Sequence, residues 1–154
     1  MDVAYEPSEI LGKYIEDLNV GDQAVFAKTI TEADIVLFSG VTGDMNPIHV
    51  DEEYAKTTQF KGRIAHGMLT ASLISTVLGM KMPGPGCIYI SQNLKFLAPV
   101  MAGDTVTARA QITSINLERK RIICSTNAFV GAVKVIEGEA EMKVPSKHKK
   151  PRTP

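Results

Sequence analysis

Asp44 and His49 stand five residues apart on Gly43-Asp44-Met45-Asn46-Pro47-Ile48-His49, a segment whose course is constrained by Gly43 and Pro47. Such a segment can turn a carboxylate and an imidazole into one small volume, which proton transfer requires. Imidazole titrates near ~6.5 and suits that work as it stands. A carboxyl, ordinarily near ~3.9, needs an apolar surround to raise it, and Phe38, Met45 and Ile48 are close enough in sequence to give one. The same residues also read as a turn in which Asp44 and Asn46 bond their own backbone and His49 is a satisfied half-buried histidine. Gly67 bears on the choice. It falls where a helix should begin, so its free N–H and the positive dipole end could hold a developing oxyanion, and its missing side chain would admit a ligand carbonyl. It could equally be a tight entry into the helix. Ser75, two turns on, could reach a bound group or bond back to the Ala71 carbonyl. His66 could join Asp44 and His49 as a metal ligand, but the body of the chain offers two histidines and no paired ligand spacing, so no metal is expected.

The elements that must position these groups follow from the pattern of the chain. After an irregular lead and the turn signal Asn19-Val20-Gly21-Asp22, Ala24 to Ile30 reads as a short strand. Thr31 and Asp34 resemble a capping box ahead of Ile35 to Phe38, a short helix that ends by Gly40 or Gly43. Pro47 forbids continuation and pushes Asn46 out of the α region, so the Asp44 segment must be an ordered turn or loop. Asp51, Glu52 and Glu53 open another short helix, to about Thr57. The principal helix runs from Met68 to about Lys81. It has small residues at 71, 75 and 79 among apolar bulk, which predicts close approach along that stripe and nearly complete burial. Pro83-Gly84-Pro85-Gly86 stops it. Cys87 to Leu97, Asp104 to Ile115, Arg121 to Val130 and Val133 to Val144 then read as four strands of an antiparallel meander. Thr105, Thr107, Arg109 and Gln111 should form the outward face of one of them. The fold class is α+β, a curved sheet around one buried helix.

At 154 residues the chain fits one domain, here 19–145, with an extension 1–18 and a basic tail 146–154 read as solvated and mobile. Seventeen basic and seventeen acidic residues cancel, so there is no electrostatic footprint for nucleic acid. Cys87 and Cys124 lack CxxC spacing and read as buried reduced thiols. There is no secretion signal and no apolar run of the ~20 residues a membrane span needs, so the expectation is a cytoplasmic protein without membrane insertion.

Phe38-Ser39-Gly40-Val41-Thr42-Gly43-Asp44-Met45-Asn46-Pro47-Ile48-His49, followed by Tyr54-Ala55, resembles the hydratase motif of MaoC-like dehydratases, close to the (R)-specific enoyl-CoA hydratases. Ile64-Ala65-His66-Gly67-Met68-Leu69 and Ile88-Tyr89-Ile90-Ser91-Gln92 also look like that family, in the same order and spacing. The resemblance covers roughly Val20 to Pro145. It implies a hot dog fold and a homodimer whose two sheets join. It also implies that Asp44 and His49 hold and activate one water, which attacks C3 of a trans-2-enoyl thioester while a proton reaches C2, giving an (R)-3-hydroxyacyl-CoA. The Gly67 N–H would bind the thioester oxygen, Ser75 would lie near the pair, and Asn46 would shape the turn. No cofactor is implied, since coenzyme A is part of the substrate. Val77, Leu78 and Val130 are candidates for the acyl tunnel. Two other readings are an acyl-CoA thioesterase on the same fold and a non-catalytic acyl-CoA or acyl-carrier-protein binding module.

Overall fold

The computed structural model describes residues 11–148. The first half of the N-terminal extension and most of the basic tail lie outside the described residues. From Leu11 the chain runs along the loop that follows the principal helix, with Gly12 N–H donating to Pro85 O at 2.7 Å and Lys13 N–H to Pro83 O at 2.8 Å. Ile15, in a single turn of 3-10 helix, and Leu18 are buried in the main core.

Strand β1 (Gln23–Thr29) leads into α1 (Glu32–Thr42). The capping box forms as the sequence suggests: the Thr31 hydroxyl accepts from Asp34 N–H, and the Asp34 carboxylate accepts from Thr31 N–H. The Lys28 ammonium, 2.6 Å away, and then the Thr31 donors hold the Asp34 carboxyl down at about 2. Two short helices follow, α2 (Pro47–Val50) and α3 (Glu52–Thr57), and then the long α4 (Gly67–Met80). The expectation of a helix-free turn around Pro47 is corrected here. Pro47 occupies the first position of α2, where its missing N–H has no partner to lose and its fixed φ suits the helix. Asn46 stays outside the α region as its cap, with ψ 126°.

Strands β2 (Ile88–Phe96), β3 (Thr105–Asn116), β4 (Arg121–Val130) and β5 (Val133–Lys143) complete one antiparallel sheet in the order β1-β3-β4-β5-β2. The four strands therefore do not form a simple meander. Tight turns join β3 to β4 and β4 to β5, but β2 pairs with β5 at the far edge. The segment Leu97–Asp104 is held instead by other elements: Leu97 N–H donates to Val135 O, and Val100 O accepts from Ala65 N–H at 2.7 Å. It carries the chain across to pair β3 with β1. Along β3, Val106, Ala108, Ala110 and Ile112 are buried while Thr105, Arg109 and Gln111 are exposed, as alternation requires.

Helix α4 lays Leu73, Ile74, Val77 and Leu78 on the apolar face of the sheet, so the sheet wraps one helix in the hot dog arrangement. The expectation of near-complete burial fails on one stripe, where Met68, Ser72, Ser75 and Met80 are exposed because the sheet covers a single side of the helix. A Cβ at Gly79 would meet nothing within 4 Å, so nothing in the described chain approaches the helix closely at that end of the small-residue stripe, while Ala71 at the other end is buried in the core. Both cysteines are free, Cys124 buried and Cys87 partly so, and burial pushes the Cys124 thiol up to about 12. The described start of the tail is docked, with Lys147 paired to Asp17 and its N–H on Glu16. No helix among the described residues is long and apolar enough to cross a membrane.

Candidate active site

Helix α1 ends on Gly43, whose φ of 77° is the left-handed cap that a side chain would strain. The next three residues form a tight hairpin of backbone. Asp44 Oδ1 accepts from Asn46 N–H at 3.2 Å, and Asn46 Oδ1 accepts from Ile48 N–H at 3.3 Å. Asn46 is thus a turn-former and helix cap. One turn of α2 then directs His49 inward, where it is 7% exposed. Its Nδ1–H donates to Ile64 O at 2.8 Å, which fixes the tautomer and leaves Nε2 with a free lone pair. Burial lowers the His49 pKa from 6.5. The Ile64 carbonyl opposes that shift, His66 adds to it, and Asp44 opposes it.

The segment after α3 runs beside α2, with Ile64 N–H donating to Ile48 O, and ends at His66, the cap of α4. Gly67 follows at the first helical position, where its N–H has no intrahelical acceptor and the helix presents its positive end. A Cβ there would come within 2.8 Å of the Phe96 ring, so only glycine leaves that approach open.

Asp44, His49, His66, Gly67 and Thr70 share the wall of a cavity of about 450 Å³, otherwise lined by apolar side chains that include Phe60, Ile64, Phe96 and Ile136. That is an ordinary size for a small-molecule site, and the mix of apolar wall with few convergent polar groups is the usual composition. The Asp44, His49 and His66 donor atoms lie within 4.8 Å of one another. Of the His66 nitrogens, Nε2 is spent on the Asp44 carbonyl and Nδ1 is enclosed without a partner, which leaves two free donors, short of the usual four-coordinate set.

Other expectations are corrected. Asp44 is exposed, and Met45 beside it is 61% exposed, so one chain does not supply the apolar surround expected around it. Ser75 lines a neighbouring surface groove with Phe38, Met68 and Tyr89 and does not enter the cavity. Val77 and Leu78 are wholly buried under the sheet, and Val130 packs against the same core, so none of the three reaches the cavity. The residues that do line it were harder to single out. Phe96, Val135 and Ile136 sit on strands far apart in sequence, and His66 was read only as a possible metal ligand and as part of the segment that leads into Gly67.

Fold and cavity define an α+β scaffold that brings a carboxylate, Asp44, and an imidazole, His49, to one largely apolar cavity. A family model described as MaoC like domain matches residues 19–137, and the chain belongs to that family. It is 52% identical over 139 residues to an (R)-specific enoyl-CoA hydratase of Rhodospirillum rubrum, covering 90% of this chain and 96% of the relative. A 3-hydroxybutyryl-CoA dehydratase of Methylorubrum extorquens is 48% identical, with 87% and 85% covered. Among solved structures, the (R)-hydratase from Aeromonas caviae involved in PHA biosynthesis superposes with a TM-score of 0.82 at 39% identity, covering 84% of this chain and 99% of that one.

Proposed function

We propose that the protein is an (R)-specific enoyl-CoA hydratase, a hydro-lyase that reversibly adds water to trans-2-enoyl-CoA to give (R)-3-hydroxyacyl-CoA. The observation that carries the reading is the convergence of Asp44, the free His49 nitrogen and the Gly67 N–H on one largely apolar cavity. The acyl chain occupies the apolar part and its carbonyl oxygen takes the Gly67 N–H. Negative charge builds on that oxygen as C3 is attacked, and the positive helix end stabilises it. Asp44 and His49 hold one water. Its oxygen bonds to C3 and one of its protons passes through the pair to C2, so the pair ends as it began. No cofactor takes part, since coenzyme A travels with the substrate.

The working unit we infer is a homodimer. Leu37, Val41, Met45 and Met68 are exposed around Asp44, Val41 to 85%, and Ile88 and Ile90 are exposed on the edge strand β2 beside them. Apolar surface next to an open sheet edge fits a second copy that would cover Asp44 and close the Ser75 groove. A CoA thioester substrate and two free thiols fit the cytoplasm.

Purified protein mixed with crotonyl-CoA and longer enoyl-CoAs should remove the enoyl absorbance without releasing free thiol. Thiol release from saturated acyl-CoA would favour a thioesterase, and binding without turnover a carrier module.

A further inference from the structure

We propose that His66 is a positioning residue of this site, one that ties the Asp44 loop to the first turn of α4 and sets the plane of the His49 ring. The proposal rests on the hydratase reading above. His66 occupies the cap position of α4 but makes no side-chain cap bond, although that position favours short side chains that do. Its ring is spent inside the site, at 2% exposure. Nε2 faces the Asp44 carbonyl at 3.0 Å, and since a carbonyl only accepts, that nitrogen carries the proton. The same Nε2 lies 3.3 Å from the Ser39 hydroxyl, which itself donates to Ile35 O in α1. One nitrogen therefore joins α1, the catalytic loop and the start of α4.

The ring centroid is 3.8 Å from that of His49 with 30° between planes, and 5.0 Å from that of Phe38. The contact with His49 is face packing with no hydrogen bond, so it transmits orientation and not a proton. His66 also immediately precedes Gly67, so a shift in its backbone moves the oxyanion N–H as well. The groups that must agree in the transition state are thus set by one side chain.

His66→Phe keeps a ring against His49 and removes the donor, while His66→Gln restores a donor at similar reach. The expected result is a fall in kcat of about 10²-fold for His66→Phe, the scale of a small misplacement, with KM for crotonyl-CoA little changed. His66→Gln should recover most of that loss. Equal kcat in wild type and His66→Phe, or a loss that His66→Gln does not relieve, would overturn the proposal. Nitrogen NMR of the wild-type imidazoles gives a measurement independent of any variant's folding: His66 should carry a proton on Nε2, and a ring without one there would overturn the tie to Asp44. Wild-type protein with no hydratase activity would remove the functional reading itself, an outcome distinct from an active enzyme indifferent to His66.

Discussion

At the scale of residues, Asp44→Asn and His49→Gln each remove one member of the proposed acid-base pair. Each should lower kcat by about 10²- to 10⁴-fold, the contribution typical of a positioned acid or base. Asp44 is exposed and its carbonyl, not its carboxylate, takes the His66 bond, so circular dichroism of Asp44→Asn should be unchanged. The pH dependence follows from His49. Burial, partly opposed by the Ile64 carbonyl, makes the folded protein hold its proton more weakly than the unfolded chain does. The neutral base should therefore persist below 6.5, and the acid limb of kcat/KM should have its midpoint below that value. The same difference makes stability full above 6.5 and lets it decline as pH falls through 6.5 toward the lower folded value. A plot of Tm against pH should be flatter in that window for His49→Gln; an unchanged slope would mean that His49 is not the group responsible. Asp44 and His49 were legible in the sequence because glycine and proline fix the segment that carries them. His66 was not, because its part depends on a ring meeting His49 in space and on a carbonyl brought from another loop.

At the scale of elements, the capping box of α1 was readable from Thr31 and Asp34 alone, since both partners lie within one turn. Thr31→Ala should destabilise the protein by about 1 kcal/mol, visible as a Tm lower by a few degrees, with kcat little changed. Gly67→Ala tests the other end of the site. Its Cβ would meet the Phe96 ring, whose partly exposed side chain can yield, so the fold should survive while kcat/KM falls. An active Gly67→Ala with normal kcat/KM would argue against the oxyanion role. Strand existence was legible from alternation and turn residues, but strand order was not. The place of β2 beside β5 depends on where Leu97–Asp104 finds its hydrogen bonds, with Val135 and Ala65, and no local pattern encodes those partners.

At the scale of the whole molecule, the features unexplained within one chain lie together: the exposed stripe of α4, the exposed side of α1 and the open edge of β2. A sedimentation measurement should give twice the 16.7 kDa chain mass. Val41→Asp should shift it toward the single chain and lower activity with it, because Asp44 would stay in water. Within one chain the expected near-complete burial of α4 and the apolar surround expected for Asp44 are absent, and sequence patterns do not separate surface that the same chain covers from surface that the proposed copy would cover. The most direct measurement is the configuration of the product formed from crotonyl-CoA and purified protein. The product should be a 3-hydroxybutyryl-CoA oxidised by an (R)-specific dehydrogenase and untouched by an (S)-specific one; no hydration, or the (S) product, would contradict the proposed function.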